Sequence, residues 1–101
     1  MTMQVKIQSI HFDADKTLLQ FIQNKVDKLG HYYDGIMGGE VFLRVEKSKD
    51  THNKIAEIKL QTRTGELFAK KQCKTFEEAV TESADALSMQ VKKHKERVRG
   101  V

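Results

Sequence analysis

The side chains able to bind a metal or act as a nucleophile are few: His11, His31, His52, His94 and the single cysteine, Cys73. No two of them stand at a zinc-ligand spacing, and neither CxxC nor HExxH occurs. Ordinary surface or half-buried side chains account for them. Cys73 closes a stretch in which Leu67, Ala69 and Cys73 share one face, which suits a small packing residue. It also lies near a helix start, a place where a thiolate is favoured. Glu77, Glu78 and Glu82 fall in the first turns of that helix, where acids oppose the positive end of the dipole and need no catalytic role. The glycines of DGIMGG, residues 34–39, match neither a dinucleotide fingerprint nor a phosphate-binding loop. No catalytic constellation emerges, so neither an enzyme, a metal, a cofactor nor a small-molecule substrate is expected.

Positive charge is the stronger signal. The chain carries a net +4, and residues 92–99, KKHKERVR, hold five cations (Lys92, Lys93, Lys95, Arg97, Arg99) against one acid, Glu96. Residues 1–91 balance 13 basic against 13 acidic side chains, so the whole excess sits in eight residues. One or two cations near a helix C-terminus are stabilising in their own right, by about 0.3–1 kcal/mol each, and a solvated face would explain those. Five that repel one another fit a phosphate-rich partner better. On a helical wheel Lys92, Lys95 and Arg99 share a side, with Lys93 and Arg97 paired beside them. Lys25 and Lys28 form a smaller i,i+3 pair upstream. Arg44, Lys59 and Lys70 alternate onto a sheet face with Phe42 and Phe68, where aromatics among cations can stack bases. Glu46 and Glu57 share that face, and the two phenylalanines are taken as its partial cover. A membrane is not expected: the last helix needs its apolar stripe for the core, and its basic tip has no Trp or Phe beside it.

These residues need elements to position them. A chain of 101 residues with 39% hydrophobic and 32% charged side chains fits one domain. It can bury roughly 60–70% of its unfolded surface without a metal or disulfide. The apolar runs are too short to span a bilayer, and MTMQVKIQSI alternates as a strand does instead of opening as a signal peptide. With one cysteine and no possible internal disulfide, a cytoplasmic location is expected.

Met3–Ile10 reads as the first strand, with Met3, Val5 and Ile7 on its buried face. Asp15 can cap a helix to about Leu29, whose Leu18, Ile22, Val26 and Leu29 recur at 4-4-3 spacing. Gly30 fits the position just past its end, and HYYDGIMGG reads as a turn-rich connector. Glu40–Lys47 is a second strand with Val41, Leu43 and Val45 inward. About Lys54–Thr62 forms a third, with Ala56, Ile58 and Leu60 inward, and Thr64-Gly65 turns into a fourth at about Glu66–Cys73. Thr75-Phe-Glu-Glu78 is a capping box opening a helix that carries Phe76, Val80, Ala84, Leu87, Val91 and Val98 on one stripe. About 24 residues give roughly 36 Å of helix against roughly 25 Å of strand, so its last two turns should overhang the sheet. The fold class is α+β, β-α-β-β-β-α: a four-stranded sheet with both helices on one face and the first two strands parallel through a right-handed crossover.

In this order and spacing, KLGHYYD (28–34), VFLRVEK (41–47), TGELFA (64–69) and MQVKKHKERV (89–98) resemble the short ribosome hibernation-promoting factors, relatives of the bacterial ribosome-associated translation inhibitors. The likeness runs from Met3 to Arg99. It implies a fold similar to a double-stranded-RNA-binding domain. It also implies a stress-response role on the small ribosomal subunit, in the channel where tRNA anticodons and mRNA lie, so that translation is silenced by occupancy. Basic side chains of the family's helices contact ribosomal RNA. The matching positions are Lys25 and Lys28 on the first helix and Lys92, Lys93, Lys95 and Arg97 on the second, with Arg99 next to them. Lys47 matches the basic end of the second strand, and Tyr32 and Tyr33 an aromatic pair. The family often has Arg where this chain has Met89. Long-form members add a C-terminal dimerisation domain, and the inhibitor-type relatives an acidic tail. The chain ends at Val101, so residues 1–101 are expected to be a single short-form ribosome-binding domain. Two alternatives remain open: a general double-stranded-RNA-binding module, and a protein-interaction domain whose basic helix end docks an acidic partner.

Overall fold

The computed structural model describes residues 4–10, 13–32, 35–46, 52–63 and 65–98, with side chains at all of these except 32 and 94–98. The elements follow the order β1 (Gln4–Ile10), α1 (Lys16–Tyr32), β2 (Ile36–Val45), β3 (Lys54–Thr62), β4 (Gly65–Cys73) and α2 (Phe76–Val98). They form one four-stranded sheet in the order β1-β2-β3-β4, with β1 parallel to β2 and the other pairs antiparallel. Both helices cover the same face, as the alternating strands require.

Each element has a local cause. Asp15 caps α1: its carboxylate accepts the Leu18 amide at 2.8 Å, and its backbone carbonyl accepts Leu19 at 3.0 Å. Thr75 does the same for α2, its hydroxyl accepting the Glu78 amide at 3.1 Å. Thr62 pairs with Gly65 across the β3–β4 hairpin, and its hydroxyl donates to the Gly65 carbonyl at 2.9 Å. Gly65 takes φ +154°, a backbone angle open to glycine and strained for other residues. The core is the sum of the apolar faces: Leu18, Ile22, Val26 and Leu29 of α1, Val41 and Leu43 of β2, Ala56, Ile58 and Leu60 of β3, and Val80, Ala84, Leu87 and Val91 of α2. Ser83 is fully buried among them and donates to the Ala56 carbonyl at 3.3 Å, which ties α2 to β3.

Three expectations need correction. Gly30 does not stop α1, which continues to Tyr32. Glycine costs a helix interior about 1 kcal/mol relative to alanine, less than burying Leu29 next to it returns. The connector is also shorter than expected, because β2 begins at Ile36 and takes in Met37, Gly38 and Gly39. The glycine pair serves packing there: a Cβ on Gly39 would stand 3.1 Å from Leu60 Cδ2 and 3.7 Å from Val26 Cγ1. Helix α1 comes down onto the sheet at that point.

The third correction concerns the overhang of α2. Ser83 is bonded to Ala56, whose β4 partner is Lys71, and the Gln90 side-chain amide donates to the Phe68 carbonyl at 2.9 Å. Seven helix residues rise about 10 Å and three strand residues about 10 Å, so α2 runs antiparallel to β4 at matching pace. Eight more residues to Val98 rise about 12 Å, against about 10 Å from Phe68 to Gly65. The end of α2 therefore draws level with the β3–β4 turn instead of passing it by two turns. β4 has nine residues and α2 starts beyond its end, which removes the expected excess.

Candidate functional site

Chain direction decides where the cations meet. Helix α1 returns from the end of β1 to the start of β2, and α2 returns along β4, which runs the same way as β1 and β2. The two helices are therefore parallel. Their C-termini lie at one end of the molecule, together with the β3–β4 turn.

The sheet register sets the heights. Val26 packs over Gly39, which lies in one row with Leu60 and Leu67, one residue from the level of Phe68 and Gln90. Lys25 and Lys28 of α1 thus stand within about one helical turn of the height of Lys92 and Lys93 of α2.

Their sides can be assigned as well. Leu19, Gln20 and Gln23 share a shallow groove with Val5 and Ile7, so that flank of α1 faces the β1 edge. The opposite flank, carrying Phe21, Lys25 and Lys28, faces α2. On α2, Gln90 reaches Phe68, and Glu82 reaches Cys73, both on β4. The other flank, with Lys92, faces α1, while Lys93 lies towards the β4 side. Lys25, Lys28 and Lys92 border the groove between the helices, and Arg63 in the exposed β3–β4 turn lies at the same end.

Lys28, Lys92, Lys93 and Arg63 are exposed and Lys25 is half-buried. Among the described residues none of the five forms an ion pair. Lys25 instead holds its ammonium 5.5 Å from the centre of the Phe21 ring. The nearby Asp27 accepts the Gln23 side-chain amide at 2.9 Å, on the flank turned away from α2. Lys95 and Arg97 lie in α2 by their backbone, and Tyr32 ends α1. Lys47, Arg99 and Tyr33 lie outside the described residues.

The outer sheet face is a different environment. Glu57 is shared by Arg44 at 3.2 Å and Lys70 at 3.7 Å, and Lys59 meets Glu66 at 3.6 Å, whereas Lys6 only stands beside Glu40 in the strand register. Cations already matched by carboxylates offer a phosphate little. Phe68 is half exposed and Phe42 less so, in keeping with partial cover of this face.

Cys73 is 6% exposed, and its thiol donates to the Glu82 carboxylate at 2.6 Å. Burial pushes the thiol up from an ordinary 9.0 to about 11, helped by the hydrogen bond and charge of Glu82 and by the charge of Glu78. The expected push towards thiolate from the helix start is thus reversed, because burial, and after it Glu82 and Glu78 of that helix, outweigh its dipole. Among the described residues no group of three His, Cys, Asp or Glu side chains gathers to hold a metal, and no helix is long and apolar enough to cross a membrane.

Known proteins give an independent comparison. The Ribosome hibernation promoting factor of Pseudomonas putida strain KT2440 is 30% identical over 95 residues, which cover 94% of this chain and 89% of that protein. A ribosomal subunit interface protein from Coxiella burnetii superposes with a TM-score of 0.82 at 16% identity, over 92% of this chain and 98% of the other. The N-terminal domain of Protein Y from Thermus thermophilus gives 0.77 at 20% identity, over 93% and 99%. At such identities the two structures speak for the fold. The family model described as sigma 54 modulation protein / S30EA ribosomal protein matches residues 5–99. By that match over nearly its whole length, the chain belongs to the sigma 54 modulation protein / S30EA ribosomal protein family.

Proposed function

We propose that this protein is a ribosome hibernation factor of the bacterial cytoplasm that works by occupancy. It docks the C-terminal end of its parallel helices on ribosomal RNA of the small subunit, in the tRNA and mRNA channel, and keeps both ligands out. The observation that carries this reading is the gathering at one end of lysines from two separate helices, without ion pairs among the described residues, while Arg44, Lys59 and Lys70 of the outer sheet face each meet a carboxylate. Relatives named Ribosome hibernation promoting factor supply the ribosome as the source of phosphate.

Lys25, Lys28, Lys92 and Lys93 act as phosphate contacts, with Lys95, Arg97 and Arg99 continuing the run; Lys47 follows β2, which ends at the opposite end of the sheet, and so belongs to a separate phosphate contact. Phosphate contacts position a protein without reading sequence, so binding depends on the shape of the RNA and steeply on salt. Each contact contributes a slope of about −0.7 to −0.9 in log affinity against log salt.

Co-sedimentation with ribosomes and separated subunits across a salt series tests the proposal. Salt-sensitive, near-stoichiometric binding to the small subunit is expected, undiminished by excess free RNA duplex. Binding confined to the large subunit, or none at low salt, refutes it. Equal competition by the duplex points to a general double-stranded-RNA-binding module.

A further inference from the structure

Among the described side chains of its end, Lys25 is the cation with an aromatic partner. Phe21 stands one turn earlier on the same flank of α1, half-buried and packed against the core, so the ring itself is anchored. The Lys25 ammonium sits 5.5 Å from the ring centre, within reach of the negative π face. A carboxylate in that place would cancel the charge and occupy N–H donors. A phenyl ring attracts the ammonium and does neither.

A lysine that is free in solution loses rotamer freedom when it closes on a phosphate. Lys25 has surrendered part of that freedom in the fold. Lys28, one turn further on and exposed, has no such support among the described residues.

We infer that Phe21 is a positioning residue, holding Lys25 over the groove between the helices as a pre-aimed, uncancelled cation for an RNA phosphate. The inference rests on the proposed RNA contact. Phe21 touches no phosphate itself, and its effect passes wholly through Lys25. A cation–π contact at a site of this exposure corresponds to about a two- to fivefold change in affinity.

The test is a double-mutant cycle in the full chain. Phe21→Leu, Phe21→Tyr, Lys25→Gln and Phe21→Leu/Lys25→Gln are compared for ribosome affinity across a salt series, with thermal melts of each. Phe21→Leu should weaken binding about two- to fivefold with an unchanged salt slope, because no charge is removed. Phe21→Tyr keeps the π face and should bind as the wild type does. Lys25→Gln should flatten the slope by about 0.7–0.9, and on that background Phe21→Leu should cost nothing more. An equal loss from Phe21→Leu with or without Lys25 makes Phe21 a packing residue only and overturns the inference. So does wild-type binding by Phe21→Leu while Lys25→Gln is impaired.

If Lys25→Gln binds as wild type with an unaltered slope, the RNA contact at this position fails, and the inference with it. A readout on the folded wild type needs no variant: ring current should move the Lys25 ε-methylene protons upfield of those of Lys28. Coincident shifts would overturn the placement.

Discussion

Replacing Lys28, Lys92 and Lys93 by glutamine removes three exposed cations from the shared C-terminal end, one on α1 and two on α2. If each neutralises one phosphate, the slope of log affinity against log salt should flatten by about 2.1–2.7. Extrapolated from the 1 M reference state to 0.1 M salt, that corresponds to about a 100- to 500-fold loss of ribosome affinity. The fold should survive. All three side chains are exposed and none has an ion pair among the described residues, so their removal forfeits only favourable contact with the helix dipole, about 0.3–1 kcal/mol each. Relief of mutual repulsion offsets part of that loss.

The matched control is Lys59→Gln/Lys70→Gln/Lys71→Gln, which lowers net charge equally but acts on β3 and β4, where Lys59 and Lys70 already face carboxylates. Fluorescence anisotropy of labelled protein against purified ribosomes, from 50 to 300 mM salt (on the order of the range over which counterion release is usually read), gives both slopes. An unchanged slope for the helix variant refutes the assignment of the site. Equal losses from both variants would mean that total charge, not its placement at the helix ends, governs binding.

Three further outcomes follow from local geometry. Cys73 has a raised pKa in the fold, so its thiol binds its proton more tightly there than in the unfolded chain; the stability this gives is complete below about pH 9 and is lost between the ordinary 9.0 and about 11. Glu82→Gln removes the nearby charge and should speed Cys73 alkylation at pH 9.5 (roughly the lower part of that window) beyond any change in unfolding; an unaltered rate would show that Glu82 does not hold the proton on sulfur. Thr75→Ala deletes the side-chain cap of α2 and should cost about 1 kcal/mol in urea unfolding with an unchanged m value. Gly39→Val drives a branched side chain against Leu60 and Val26 and should cost about 1–3 kcal/mol or more, whereas tolerance in the same assay would mean that α1 does not rest on that glycine.

Where a segment's burial follows its own period, its sequence alone locates it. β3 runs Lys54–Thr62 as its alternation predicts, because Ala56, Ile58 and Leu60 all turn to one face. The α2 start follows from Thr75 and Glu78 for the same local reason. The start of β2 was illegible because Gly38 and Gly39 carry the usual mark of a turn, whereas Gly39 is there to leave room for Leu60 of the distant strand β3, with Val26 of α1 in ordinary contact beside it. Ile55 is a parallel case: alternation places it on the outer face, yet it is 3% exposed. Its β4 neighbour Gln72 donates to the His52 carbonyl at 2.6 Å, which brings the segment before β3 across that corner.

The site divides along the same line. Charge density along the chain marks Lys92 and Lys93, but bringing them to the height of Lys25 and Lys28 takes the strand register. Arg63 has no neighbouring cations in sequence. Only the direction of the chain, with the β3–β4 turn at the same end as both helix C-termini, brings it to the site.

That direction also has an electrostatic consequence. With parallel helices, the N-terminal ends gather as well, and there the exposed acids Asp13, Asp15, Glu77, Glu78 and Glu82 stand among Lys16, Lys54, Lys71 and Lys74, which leaves that end close to balanced. The two ends are separated by nearly the length of α2, 23 residues or about 35 Å. A cationic end held that far from a nearly balanced one gives the molecule a charge asymmetry several Debye lengths long at physiological salt. Near a polyanion such a molecule is drawn in by one end more than by the other, so its encounters are oriented before any contact forms. The acids therefore do more than compensate helix dipoles: they lower the net charge without diluting the cationic end. Their arrangement suits the proposed docking of the helix C-terminal end on RNA.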